Sequence, residues 1–169
     1  MNLNGEVDDN YRERLEYADN LRDVWEVVKD SVKEVLGHYR IGMMLFLDDL
    51  PLNLGAYHPV GTNNIVMNRR LLEIVEVTTE DKNRVNAFIY NILLHEYLHA
   101  IGYLRETEVK TLILQIAQEC FGQDHIVTQL VRVGPWSILK DLPLDVVEGP
   151  KRVMEIVKDF EESPQKYIV

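Results

Sequence analysis

The apolar and polar positions of the chain follow helical and extended patterns in turn over its first third. In residues 11–36 the apolar residues recur every three or four positions, which predicts one long amphipathic helix that ends at Gly37. Residues 41–47 form a short continuous apolar run, which predicts a buried strand. Residues 54–57 and 65–67 are strand-like pieces separated by proline, glycine and asparagine, and they predict a β-hairpin or meander.

Helical periodicity dominates the middle of the chain. Residues 70–77 predict a short helix, and residues 83–101 predict a central helix with an apolar stripe along one face. Gly102 is a typical stop signal at the end of that stripe. The candidate N-caps that precede the central helix are Thr78, Thr79 and Asp81.

Two further helices are predicted after the central one. The first starts near Glu106 and ends at Gly122, and Cys120 lies on its apolar stripe. Residues 126–133 add a short apolar segment. The last helix spans about residues 150–160. Four of its side chains are expected to face the core: Val153, Ile156, Val157 and Phe160.

Together these elements predict an α+β fold, with a small mixed sheet, a long N-terminal helix, a central helix and C-terminal helices. We expect the polar residues 1–10 to be disordered and residues 11–169 to form a single domain. A chain of 169 residues is long enough to bury a core without disulfides, and its only cysteine, Cys120, is expected to be buried.

Composition narrows the possible partners. The formal net charge of −10 argues against nucleic acid or an anionic membrane as the main partner. No N-terminal apolar stretch resembles a signal peptide, and no window is long enough to span a bilayer. We therefore expect a cytoplasmic protein. The sequence does not indicate an oligomeric state.

The strongest chemical signal is the pentad from His95 to His99, HEYLH, on the central helix. Residues four apart lie on the same helical face, so both imidazoles can reach one metal ion. Glu96 projects beside that ion, where its carboxylate could take a proton from a bound water as a general base. The alternative is that the two histidines are satisfied core residues.

A third ligand would complete a catalytic zinc site, which generally has three protein ligands and one open position. The acidic and histidine candidates after the pentad are Glu106, Glu108, Glu119 and His125. If the next helix packs antiparallel to the central one, each residue moves about 1.5 Å further along, so the last two lie too far away. Glu106 is favoured because it aligns with the core-facing positions, whereas Glu108 aligns with polar ones. Alternatively, both are acids at a helix N-terminus, where the helix dipole favours a negative charge, and neither is a ligand.

The pentad followed by Ala100-Ile101-Gly102 resembles the active-site helix of the zincin metallopeptidases, in particular the small single-domain zincin-like proteins of prokaryotes. The stretch GAYHPVGTNNIVMN, residues 55–68, is similar to the edge-strand region ahead of that helix. The run from Glu106 to Val109, ETEV, resembles the start of the glutamate-bearing helix of gluzincin-type members. This resemblance implies a minimal zincin-like fold and Zn²⁺ bound by His95, His99 and Glu106.

The resemblance also implies an activity, the hydrolysis of peptide bonds in peptides or unfolded chains with Glu96 as the base. Substrate could bind by adding a strand to an edge at residues 64–68. The candidate stabilisers of the oxyanion are Tyr57, His58, Tyr103 and Arg105. The alternatives are a non-catalytic zincin-fold binding or regulatory protein, with or without zinc, and a metal hydrolase that acts on another amide or ester.

Overall fold

Helices account for most of the ordered backbone in the computed structural model, which describes residues 9–139 and 149–161. These residues form six α-helices, a 3-10 helix and a four-stranded mixed sheet, so the predicted α+β class is confirmed. In chain order the elements are α1 (Asp9–Glu16), α2 (Leu21–Leu36), β1 (Met44–Asp48), β2 (Ala56–Tyr57), β3 (Asn64–Asn68), α3 (Arg69–Thr78), α4 (Lys82–Ala100), α5 (Glu106–Phe121), α6 (Ile126–Val133), the 3-10 helix (Pro135–Leu139) and β4 (Glu155–Ile156).

Helix α4 is the central element, because every residue from 85 to 94 is buried. Apolar side chains surround it on all sides, as expected for a helix enclosed by other elements rather than one with a single core-facing stripe. Its N-cap is Asp81, whose side chain accepts a hydrogen bond from the backbone N–H of Asn83 at 2.9 Å. Its last helical residue is Ala100, and Gly102 follows with a φ of +117°, as the stop signal predicts.

The sheet has the strand order β2-β3-β1-β4. Strands β2 and β3 are antiparallel, which confirms the predicted hairpin, whereas β1 runs parallel to β3. The expectation that residues 64–68 form an exposed edge is wrong, because β3 lies between two other strands. The edge strand on this side is β2. Its neighbour β3 is almost entirely buried, as is usual for a central strand of continuous apolar residues.

The predicted continuous helix over residues 11–36 is interrupted. Helix α1 ends at Glu16 and α2 begins at Leu21, with Asn20 as its N-cap accepting from the N–H of Asp23 at 2.9 Å. The break is stabilised from α4, where the side-chain amide of Asn86 donates to the carbonyl groups of Leu15 and Ala18 at 2.9 and 3.0 Å. Asn86 thereby supplies donors to a carbonyl near the end of α1 and to one in the loop that follows it.

The predicted helix over residues 150–160 is also wrong. This segment is extended, and β4 pairs antiparallel with β1, which closes the other side of the sheet. The reason is a tertiary contact: the guanidinium of Arg152 donates to the buried carboxylate of Asp49, and this holds the segment along the sheet. Val153 is 88% exposed and Ile156 is 44% exposed, against expectation. Phe160 is buried, as predicted, and stacks on Trp25.

The remaining predictions concern residues 126–133, Cys120 and the ends of the predicted domain. Residues 126–133, predicted only as an apolar segment, form α6, and Cys120 is buried as expected. The predicted disordered terminus falls partly on residues 1–8, which lie outside the described residues, while Asp9 and Asn10 begin α1. Residues 140–148 and 162–169 of the predicted domain also lie outside them. Within the described part of the chain, no helix is long and apolar enough to cross a membrane.

Candidate metal centre

The candidate site forms where α4 turns back into α5. Because residues 101–105 make a short connection, the start of α5 returns to the last turn of α4. The backbone N–H of Gly102 donates to the His99 carbonyl at 3.1 Å, and that of Tyr103 donates to the Leu98 carbonyl at 3.0 Å. These bonds are typical of a glycine-terminated helix end. They place Glu106, the first residue of α5, beside the pentad.

Three side chains converge at this turn: His95, His99 and Glu106. The Nε2 atoms of the two histidines lie 3.2 Å apart. One carboxylate oxygen of Glu106 lies 2.7 Å from Nε2 of His99, and the other lies 3.1 Å from Nε2 of His95. Ligands about 2.0–2.2 Å from a tetrahedral zinc ion lie roughly 3.3 Å from each other, so the three groups are spaced almost as that ion requires.

The hydrogen bonding of His99 indicates that a positive charge belongs in this cluster. Its Nδ1 lies 2.8 Å from the carbonyl oxygen of Tyr103, which can only accept, so Nδ1 carries a proton. In the neutral ring, Nε2 then presents a lone pair to the oxygen of Glu106. Two acceptors at 2.7 Å repel each other unless a second proton or a metal ion lies between them. The donor set therefore fits a divalent cation.

Burial and neighbouring charges keep His95 and Glu106 in the forms that bind a metal. Burial lowers the pKa of His95, the neighbouring charges of His99 and Lys110 lower it further, and Glu106 partly opposes them. Burial alone would raise the pKa of Glu106, but the two histidines outweigh it, and the net shift is downward. A neutral imidazole and an ionised carboxylate are the forms that bind metals.

Glu96 is outside the ligand set and has a different environment. Its side chain is buried, and this burial raises its pKa to about 7, with His99 lowering the value and Glu106 raising it. A carboxylate poised near neutral pH can both accept and return a proton. The position and the pKa of Glu96 therefore suit a general base beside the metal ligands.

A cavity of about 790 Å³ adjoins the ligands. His95 and Glu96 form part of its wall, and residues 53–56, which lead into the edge strand β2, form another part. The opposite wall is largely apolar and comes from α5, α6 and the 3-10 helix; it includes Ile113, Leu114, Val131, Val133, Pro135 and Trp136. The cavity is large enough for a short peptide segment.

The other predicted ligands lie outside the cluster. Among the described residues, the group of histidine and acidic side chains that could hold a metal consists of His95, His99 and Glu106. Glu108 is exposed on α5 and is not a member. Glu119 accepts a hydrogen bond from Gln115. His125 is the N-cap of α6, and burial, with a smaller effect from Arg12, lowers its pKa to about 4.

The four predicted stabilisers of an oxyanion do not line the cavity. Nδ1 of His58 bonds to the Asn64 carbonyl at 2.8 Å, and Tyr103 contributes its backbone carbonyl to His99 while its ring contacts His38. Tyr57 belongs to β2, and Arg105 is the exposed residue before α5.

Sequence reasoning missed three residues that shape the cavity. Lys110 lies one helical turn after Glu106, and this i, i+4 spacing was a signal that could have identified it. Trp136 follows a Gly-Pro break and has no comparable signal. At Gly55 an added Cβ would lie 2.9 Å from Cδ1 of Ile92, so a glycine lets the strand region approach α4 closely.

Comparisons with protein-family models, with curated proteins and with solved structures find no significant match to this chain.

Proposed function

We propose that this chain is a zinc-dependent metallopeptidase of the zincin-like kind that its sequence resembles. The observation that carries the proposal is the convergence of His95, His99 and Glu106, whose ligand atoms all lie within 4.8 Å of one another. Two imidazole nitrogens and one carboxylate match a known donor set of catalytic zinc, which leaves a fourth position open. The cytoplasmic location expected from the sequence belongs to the same proposal.

Bound zinc would supply Lewis acidity, lowering the pKa of coordinated water to near 7 and polarising the substrate carbonyl. Glu96 accepts the proton of the attacking water, because its buried carboxylate lies beside the ligands and has a pKa of about 7. The water oxygen forms the new bond to the carbonyl carbon and the C–N bond breaks. Glu96 then passes the proton to the leaving amine. The Tyr103 carbonyl keeps His99 in the required tautomer.

The substrate of this proposal is a peptide or an unfolded segment of protein. Strand β2 is the edge of the sheet on the side of the cavity, and Leu54, Gly55 and Ala56 line that cavity. An extended peptide that pairs with β2 would run past the metal ligands, with its side chains against the apolar wall. In this proposal β2, rather than residues 64–68 as predicted from the sequence, is the strand that pairs with the substrate.

The first experiment measures metal content by elemental analysis on protein purified without chelator or a metal-affinity column. We expect about one zinc per chain in the wild type. His95→Ala removes a ligand and should lose the metal. Glu106→Gln should weaken zinc binding at least 10-fold, whereas the matched variant Glu108→Gln should leave it unchanged. Metal retained in His95→Ala, or the opposite order of the two glutamate variants, would refute this ligand set.

The second experiment measures hydrolysis by the zinc-loaded chain on a mixed peptide library, with mass spectrometry of the products. Glu96→Gln should keep zinc and lose at least 100-fold in kcat/KM, since it removes the base but no ligand. A zinc-loaded wild type that cleaves no peptide would favour a non-catalytic binding protein instead. Cleavage that persists in Glu96→Gln would exclude Glu96 as the base.

A further inference from the structure

The charges inside the cavity are unevenly distributed. Among the described residues that line it, Glu96 is the only carboxylate, while Lys110 and Arg132 are cationic. The chain as a whole is acidic, with a formal net charge of −10, whereas these lining residues include more cations than carboxylates. A cationic group beside an apolar wall is complementary to a ligand that has an anionic end and an apolar body.

Lys110 is the cation whose charge is available to such a ligand. Its spacing from Glu106 would ordinarily favour an ion pair along α5, but Glu106 is directed to the two histidines instead. No carboxylate of the described residues lies within ion-pair distance of the Lys110 ammonium. Arg132 is also cationic, but its guanidinium donates to the carbonyl of Gln123 at 3.1 Å, which orients it toward the loop before α6 and favours Lys110 as the partner of the ligand.

The separation between Glu106 and Lys110 along α5 indicates how far from the reacting bond a group bound by Lys110 would lie. Lys110 follows Glu106 by four residues, which corresponds to about 6 Å along the helix axis. An extended peptide advances about 3.3–3.6 Å per residue, so a group held by Lys110 lies one or two residues beyond the bond at the metal. A free C-terminal carboxylate, one or two residues after the scissile bond, would place an anionic group at that separation.

We propose that Lys110 binds the free C-terminal carboxylate of the substrate, so that the enzyme removes one or two residues from the C-terminus of peptides. The terminal side chain then packs against Ile113, Leu114 and Trp136, and an apolar terminal residue is preferred. This inference rests on the proposed peptidase activity. In this hydrolysis, water provides the new carboxylate oxygen, and the amine of the released residue takes the proton from Glu96.

The test uses the zinc-loaded full-length chain and one acetylated apolar hexapeptide, prepared with either a free carboxylate or a C-terminal amide. Amidation should lower kcat/KM roughly 10- to 100-fold in the wild type, because it removes a charge-assisted hydrogen bond. Lys110→Gln should lower kcat/KM for the free acid by the same factor and leave the amide unchanged. Lys110→Arg should retain most of the discrimination. Mass spectrometry should find single residues or dipeptides released from the C-terminus.

The control variant is Lys151→Gln, which removes the same charge at an exposed lysine that pairs with Asp48 and does not line the cavity. It should preserve the ratio between acid and amide. Equal rates for the two peptides in the wild type would overturn the proposal. An equal loss on both peptides in Lys110→Gln would also overturn it and would place the ammonium at the oxyanion.

A binding measurement separates this inference from the peptidase proposal. Of the two tryptophans, Trp25 is fully buried in the core and Trp136 lies at the cavity, so tryptophan fluorescence of the inactive Glu96→Gln variant reports on peptide binding. Tighter binding of the acid than of the amide, lost in the Glu96→Gln, Lys110→Gln double variant, supports the carboxylate site even if no peptide is hydrolysed. Cleavage of internal bonds without preference for a free end supports the peptidase and overturns this inference.

Discussion

At the scale of single residues, Glu96 and Glu106 both interact electrostatically with His99, yet burial gives the two carboxylates different pKa shifts. Glu106 is 59% exposed at its side chain and its pKa is lowered by the histidines it contacts. Glu96 is buried, and its pKa is raised to about 7. One residue is therefore suited to bind a metal and the other to exchange a proton.

This difference predicts a pH dependence in the metal-free protein. Unfolded Glu96 ionises near pH 4.5 and folded Glu96 near 7, so the unfolded state releases its proton first. The free energy of unfolding should fall as the pH rises through this window, by up to about 3 kcal/mol from Glu96. His95 and His125 have lowered pKa values and act in the opposite direction, which is why the comparison must be made against Glu96→Gln.

The measurement is urea unfolding of both proteins in chelator at pH 5, 6, 7, 8 and 9. Wild type should lose stability relative to Glu96→Gln as the pH increases, and the difference should level off above pH 7. A difference that stays constant with pH would mean that the folded protein does not hold Glu96 in its neutral form.

At the scale of elements, the end of α4 is held in place by a residue far away in the sequence. The guanidinium of Arg40 donates to the Ala100 carbonyl at 2.5 Å and to the Thr62 carbonyl at 3.2 Å, and the Tyr97 hydroxyl accepts from its backbone N–H at 2.7 Å. Arg40 thus joins the loop before β1, the hairpin and the helix that bears the histidines. Carbonyl groups at a helix end need such partners.

Arg40→Met is expected to lower the free energy of unfolding by about 1–3 kcal/mol, because it leaves the Ala100 carbonyl at the helix end and the Thr62 carbonyl of the hairpin without their charged donor. It should also weaken metal binding, since His99 lies in the last turn of α4. The control is Arg14→Met, which breaks a partly exposed pair with Asp30 and should cost less than about 1 kcal/mol. Denaturant unfolding and zinc titration measure both effects. Equal effects of the two substitutions would show that Arg40 does not secure the helix end.

At the scale of the whole molecule, a buried charge cluster joins the C-terminal segment to the sheet. Asp49 has a fully buried side chain whose oxygens accept hydrogen bonds from Arg69 and Arg152. These bonds hold the pKa of Asp49 well below its usual range, and those from Arg152 have the larger effect. Arg69 also donates to the Val153 carbonyl at 3.1 Å. These contacts join α3, the end of β1 and the segment that contains β4.

Asp49→Asn should reduce the free energy of unfolding by about 3–5 kcal/mol at neutral pH, because it leaves two arginines without their buried partner. In the wild type this contribution should decrease progressively as the pH falls below about 4, because the unfolded carboxylate takes up a proton there while the folded one stays ionised. Glu73→Gln, which affects a half-exposed partner of Arg152, is the control and should cost under about 1 kcal/mol. Equal losses in the two variants by urea unfolding would contradict this assignment. Metal content per folded chain should stay unchanged.

The sequence by itself determined the features that depend on neighbours along the chain. The pentad and its helix, the Gly102 stop and the start of α5 near Glu106 follow from i, i+4 spacing and from local hydrogen bonds, and Asp81 was one of three candidate N-caps. It also favoured Glu106 over Glu108, because a helical face is a local property.

Only the tertiary structure decided what depends on partners distant in sequence. Asn86 stabilises the break between α1 and α2, and Asp49 and β1 hold residues 150–160 in an extended conformation. The choice of β2 as the edge strand and the placement of Lys110 and Trp136 around one cavity arise in the same way. Propensity and periodicity contain no information on those contacts, because each is set by packing between elements far apart in the chain.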